Sequence, residues 1–235
     1  MKKISPKSFN CSRGKRASKI IKFVIFHYTG MQSEIDSLKR LTDPKSKVSA
    51  HYLINRKGKV FSLVNENYEA WHAGKSMWKN HVNLNKNSIG IELVNKGHEF
   101  GYQNFPKKQI LSLIKLCRRI KKKYKIKKEN FLGHSDIAPL RKQDPGEKFP
   151  WEKLSKYGIG QWFEKKRIKS ISMNKIDKKI FFKNIFKLGY RYFDLSIRKP
   201  NDRLIIQAFQ RRFNSKKING KIDKKTFKIS NFLSR

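Results

Sequence analysis

The sequence predicts an α/β fold: a mixed central sheet flanked by helices, followed by a small three-helix domain. Short β-branched and aromatic runs alternate with helical patterns up to about Trp162. Some of these runs are separated by too few residues for a crossover helix, so the sheet is mixed rather than purely parallel. After a Lys/Ser-rich stretch the strand signal stops and three short helical patterns follow. The expected division is 1–163 for the α/β domain, 164–175 for a linker and 176–235 for the helical domain.

Each element has its own signal. Ile20 to Phe26 is nearly all apolar and reads as a buried strand, ending in His27-Tyr-Thr-Gly30. Ser33 is a candidate cap for a helix to Leu41, with Ile35, Leu38 and Leu41 at helical spacing. Val48 to Ile54 and Lys59 to Val64 read as hairpin partners around Asn55-Arg-Lys-Gly58. Trp71 and His72 fall in a loop. Ser88 to Val94 is a further strand, with Gly90, Glu92 and Val94 on one face and Ile89, Ile91 and Leu93 on the other. Pro106 opens a helix whose stripe is Ile110, Leu113, Ile114, Cys117, Ile120 and Tyr124. In the tail, Asp177 to Leu188 ends at Gly189, Asn201 to Phe213 carries an apolar side, and Asp223 caps the last helix.

The formal charge is +40 on 235 residues, which implies attraction to polyanions. No nucleic-acid recognition motif accompanies it, so lysine spread over solvated faces is the simpler reading and no specific nucleic-acid partner is expected. Cys11 and Cys117 make neither a disulfide framework nor a zinc knuckle, and Cys117 reads as a buried structural thiol. No run is long enough to span a membrane. Lys2 and Lys3 are not followed by an apolar stretch, so no secretory leader is expected.

Chemistry concentrates in Phe131-Leu-Gly-His134-Ser-Asp-Ile-Ala-Pro-Leu-Arg-Lys142-Gln-Asp144-Pro-Gly146, where glycines and prolines exclude a long helix or a central strand. His134 offers a neutral imidazole nitrogen and Asp144 a hard oxygen ligand; the two need a third to form an open zinc site, and His27 at its strand end is the candidate. Glu92 shares a face with Gly90 and Val94. A partly buried carboxylate there, with a raised pKa, suits a general base, and solvent exposure on an edge strand is the alternative. Phe149 and Trp151 read as core anchors.

Six blocks in order resemble the zinc-dependent N-acetylmuramoyl-L-alanine amidases of the type 2 family, related to phage T7 lysozyme and the peptidoglycan-recognition proteins. They are Val24-Ile-Phe-His27-Tyr-Thr-Gly-Met, Val48-Ser-Ala-His51-Tyr-Leu-Ile, Ala70-Trp-His72-Ala-Gly, Asn87-Ser-Ile-Gly-Ile-Glu92-Leu-Val, Gly133-His134-Ser-Asp-Ile-Ala-Pro and Arg141-Lys142-Gln-Asp144-Pro-Gly. The resemblance covers roughly residues 5 to 163. It implies one Zn2+ per chain on His27, His134 and Asp144, with Glu92 activating the attacking water and Lys142 stabilising the oxyanion. The implied reaction is hydrolysis of the amide between N-acetylmuramic acid, including its 1,6-anhydro form, and L-alanine. Peptidoglycan or muropeptide is then the partner in cell-wall turnover. Trp71 and His72 are expected as substrate contacts and His51 as a structural histidine. The tail, through Ala208-Phe-Gln-Arg-Arg-Phe213 and Gly220-Lys-Ile-Asp223, resembles a peptidoglycan-binding helical domain and is expected to be separable. A monomer is expected. For compartment, the missing leader favours the cytoplasm, and the wall-binding-like tail favours the periplasm or cell wall.

Overall fold

The computed structural model of the chain describes residues 7–170 and 176–235. Residues 1–6, with Lys2 and Lys3, and residues 171–175 of the expected linker lie outside the described residues. In chain order the elements are β1 (Phe23–Tyr28), α1 (Glu34–Thr42), β2 (Tyr52–Ile54), β3 (Val60–Ser62), β4 (Met77–Trp78), β5 (His81–Val82) and β6 (Ser88–Leu93). Then come α2 (Lys107–Tyr124), β7 (Phe131–Gly133), α3 (His134–Ile137), α4 (Trp151–Ser155), α5 (Lys165–Ser170), α6 (Lys178–Leu188), α7 (Asp202–Phe213) and α8 (Lys224–Leu233).

Five strands form the main sheet in the order β3-β2-β6-β1-β7, and β4-β5 form a separate two-stranded pair. β3 runs antiparallel to β2, and the other three pairings are parallel. Parallel strands bury both faces, and the alternation along β1 shows how. Val24 and Phe26 join Ile89 and Ile91 of β6 under the apolar stripe of α2, which includes Cys117, and against Trp151 and Leu154 of α4. Phe23 and Ile25 face the other way, against Phe181, Phe182, Ile205, Phe209 and Phe213 of the C-terminal helices. His27 continues this second face at the carboxyl end of the strand, just beyond the packed apolar layer.

The C-terminal helices therefore form the second cover of the sheet. Tyr190 packs edge-on against Trp78 at 4.9 Å. Arg212 makes a fully buried 2.6 Å ion pair with Asp136 in α3, and Tyr190 donates to the same carboxylate at 2.6 Å. An independent unit joined by a linker was expected. Instead α5 occupies residues 165–170 of that stretch, and its Ile168 is buried in the shared core. The run Lys165-Lys-Arg-Ile-Lys-Ser170 reads as a polar stretch, and its one apolar residue is the one that faces inward.

Other expectations shift at their edges. Ser33 caps α1 by accepting from the Asp36 N–H, as its sequence position suggests, but Ile35 lies 64% exposed and not on the buried stripe. β7 occupies the first three residues of the segment read as loop, because Phe131 and Leu132 fill opposite faces of the sheet edge. Three residues are too few for a readable period. Asp177 and Asp223 cap α6 and α8 through their side chains, as expected.

Candidate active site

Parallel pairing gathers the carboxyl ends of β1, β6 and β7 at one edge, where ligands of such sheets bind. His27 and Glu92 are register partners on β1 and β6, and His134 follows the last residue of β7. The loop after α3 folds back so that the Ser135 N–H donates to the Asp144 carbonyl at 2.9 Å. Five residues separated by up to 117 positions thus converge on one cleft of about 500 Å3, lined by His27, His134, Asp144, Glu92 and Lys142 among others.

The donor geometry inside the cleft is specific. His27 Nδ1 lies 3.0 Å from His134 Nδ1 and 2.9 Å from Asp144 Oδ2, and His134 Nδ1 lies 3.1 Å from the same oxygen. The far side of each ring fixes its tautomer. His134 Nε2 faces the Ala73 carbonyl at 3.0 Å, so it carries the proton. His27 Nε2 donates to His72 Nδ1 at 3.0 Å, His72 Nε2 donates to Ser88 Oγ at 3.1 Å, and Ser88 donates to the Leu84 carbonyl. Both Nδ1 atoms are then bare. Burial and the facing His134 pull His27 down to about 4, so it stays neutral. Burial alone would raise Asp144, but His134 and His27 hold it far below the usual carboxylate range. Two bare nitrogens and a carboxylate oxygen about 3 Å apart have no proton to share. Their separation suits a divalent ion bonded at ~2.0–2.2 Å, and two imidazoles plus one carboxylate leave a coordination position open. Among the described residues this is the group fit to hold a metal ion.

Glu92 faces the same cleft. Its Oε2 is shut off from solvent and has no hydrogen-bond partner. Burial, then the field of Asp144, push its pKa up to about 8 against the opposing pull of Lys142. Gly90 explains why His72 can lie so close to β6: a Cβ there would meet His72 Cγ at 2.4 Å.

His72 was expected on the substrate side, yet both its ring nitrogens are engaged inside the protein, where it supports His27. Trp71 is half-buried and lines the cleft. His51 is fully buried, accepts the Gly90 N–H at 3.0 Å and lies 3.1 Å from the Tyr68 carbonyl, in keeping with a structural role. Two residues not singled out by sequence support the site. Asn85 Oδ1 accepts the N–H groups of His72 and Ala73. Arg141 fastens its loop to the carbonyls of Ala73 and Lys75. An Asn and an Arg in polar loops carry no periodic signal that could have revealed them.

Fold and site together define an α/β protein with, among the described residues, one buried His/His/Asp group fit to hold a metal ion in an open cleft, an arrangement that suits a metal-dependent hydrolase. Residues 16–147 match the family Amidase_2, N-acetylmuramoyl-L-alanine amidase, and the chain belongs to that family. It is 37% identical over 231 residues to N-acetylmuramoyl-L-alanine amidase AmiD of Escherichia coli (strain K12), covering 91% of this chain and 82% of that protein. The solved structure of E. coli AmiD with the substrate anhydro-N-acetylmuramic acid-L-Ala-D-gamma-Glu-L-Lys superposes with TM-score 0.82 at 34% identity, over 94% of this chain and 91% of the other. AmpDH3 from Pseudomonas aeruginosa, in complex with anhydromuramic pentapeptide, gives TM-score 0.82 at 30% identity over 99% and 98% of the two chains.

Proposed function

We propose that the chain hydrolyses the amide between the lactyl group of N-acetylmuramic acid, 1,6-anhydro form included, and the L-alanine of the stem peptide, with one zinc ion held by His27, His134 and Asp144. The observation that carries this reading is the trio of bare donors beside the unpartnered carboxylate of Glu92. The muropeptide bound by the E. coli relative supports the substrate class. When bound, zinc supplies a Lewis acid for the amide carbonyl. Glu92 takes a proton from the attacking water and returns it to the leaving amine of alanine, a role its raised pKa favours. Lys142, on the cleft wall, offers positive charge to the oxygen on which negative charge develops. His72 keeps His27 in the tautomer that leaves Nδ1 free. Trp71 offers its ring as the substrate contact. All these groups come from one chain, and the working form proposed is the monomer. The cytoplasm is the proposed compartment, with the periplasm or cell wall as alternative, and cell fractionation with activity assay tests it. The C-terminal helices, Lys/Arg-rich on their outer side, are proposed to hold peptidoglycan.

The test combines metal and mutation. Purified protein should release free peptide from muropeptides, lose that activity to a chelator and regain it with zinc. Glu92→Gln should lose roughly 10²–10⁴-fold in turnover while still binding one zinc, whereas His134→Ala should lose the ion as well. Cleavage that survives metal removal, or equal zinc loss in both variants, would show the assignment of roles to be mistaken.

A further inference from the structure

Beside the active-site cleft lies a second cavity of about 520 Å3. One wall is the loop carrying Leu140 to Glu147, and the other is α7, so the α/β part and the helical part build it together. The two spaces share a rim at His98, Arg141, Lys142 and Gln143.

Arg211 stands at the α7 wall, only 9% exposed. Among the described residues its guanidinium makes no hydrogen bond or ion pair, and its Nε is sealed from solvent without a partner. Its neighbour Arg212 shares the sealed, unpartnered Nε, but its terminal nitrogens are paired with Asp136 and bonded to the Phe131 carbonyl, and its guanidinium stacks over Trp151 at 4.0 Å. The fields of Glu147, Tyr28, Asp136 and Asp144 reach Arg211, but each of these groups has its direct partner elsewhere: Glu147 and Tyr28 at His98, Asp136 at Arg212 and Asp144 at His27 and His134. Gln207, one turn before Arg211, lines the same cavity and adds an amide on the same helix face. A buried charge without a partner is costly, and one opening into a cavity is most simply accounted for by an anionic ligand.

The substrate proposed above tells which anion. Its sugar half carries hydroxyl and acetamido groups and no charge. Its peptide half carries carboxylates. We propose that the second cavity is a subsite for a free carboxylate of the stem peptide beyond L-alanine, held by Arg211 with Gln207 beside it; this rests on the amidase reading. The C-terminal helices would then select the peptide on every substrate, soluble ones included, in addition to any hold on polymer.

The experiment uses the full zinc-loaded chain and two soluble substrates, a muramyl tripeptide with free carboxylates and the same molecule with those carboxylates converted to amides. Wild type should prefer the free acid by roughly ten- to a hundredfold in kcat/KM, carried by KM, as expected for a charge-assisted contact. Arg211→Gln should reduce that preference to within about threefold, and Arg211→Lys should keep part of it. Gln207→Glu, at a half-buried position on the cavity wall, should also depress the preference by placing a like charge in the cavity. An Arg211→Gln variant that loses equally on both substrates, or a wild type that shows no preference for the acid, overturns the subsite. Failure of wild type to cleave either substrate removes the amidase reading and the subsite with it, whereas turnover without charge preference removes the subsite alone.

Discussion

Replacing Arg212 by methionine tests how the helical segment is bound to the active site. The Arg212 and Asp136 side chains are 3% and 1% exposed, and their ion pair is 2.6 Å long. Methionine would keep much of the apolar stem against Trp151 but remove the charge. Asp136 would retain two donors, Tyr190 Oη at 2.6 Å and the Gly133 N–H at 2.8 Å, and no cation. Breaking one side of a buried pair costs about 3–5 kcal/mol. The two retained donors put Arg212→Met near the lower end, about 3 kcal/mol, which for a chain of this size lowers Tm by on the order of 10 °C. Urea unfolding at neutral pH measures it directly. Adding Asp136→Asn removes the orphaned charge, so the double variant should recover at least ~1 kcal/mol over the single one. Asp136 lies two residues after His134, so Arg212→Met should also weaken zinc retention. A loss under ~1 kcal/mol, or strict additivity in the double variant, would refute the argument that this pair joins the two parts of the chain.

Two further outcomes follow from neighbouring features. Gly90→Ala pushes a methyl group into the His72 ring, which a Cβ would approach to 2.4 Å; zinc affinity should fall about 10–100-fold in a folded protein, and unaltered affinity would remove His72 from its supporting role. Burial raises the Glu66 pKa, but hydrogen bonds from Lys123, Tyr52 and Tyr124 and the charge of Arg119 outweigh it and hold the group at about 2, below its ordinary 4.5. A depressed carboxylate stabilises the fold above its unfolded pKa and loses that contribution as pH falls through the folded one. Glu66→Gln should therefore cost on the order of 2 kcal/mol at neutral pH and flatten the acid loss of stability between about pH 4.5 and 2, as read from urea midpoints. A wild-type-shaped acid limb in the variant would contradict this.

What sequence could and could not reveal divides along physical lines. His27 was legible because a long apolar run ends in a polar residue before a glycine, and strand alternation already put Glu92 on the face opposite Ile89 and Ile91. The six family blocks added the pairing of His27 with His134 and Asp144, which spacing alone left open. β7 was illegible because its three residues are shorter than any measurable period. The docking of the C-terminal helices was illegible for a different reason: the Arg212–Asp136 pair spans 76 positions, and no local pattern reports so distant a partner. Arg211 and Arg212 are adjacent and chemically identical in the sequence, yet only one of them finds a carboxylate. His72 looked like a loop residue beside a tryptophan, and only the space left by Gly90 turns it inward.

The hydrogen-bonded row from His27 through His72 and Ser88 has a direction. Every member gives its hydrogen away from the cleft, and the last acceptor is the Leu84 main-chain carbonyl, which has none to give back. Such a row is a dead end for protons: nothing can be fed into it from the interior, and reversing it would require each ring to exchange tautomer at once. For His27, among the described residues, the side left open to proton traffic is the cleft itself, where Glu92 stands. Hydrogen needed or released during turnover is thereby confined to the face where the substrate sits.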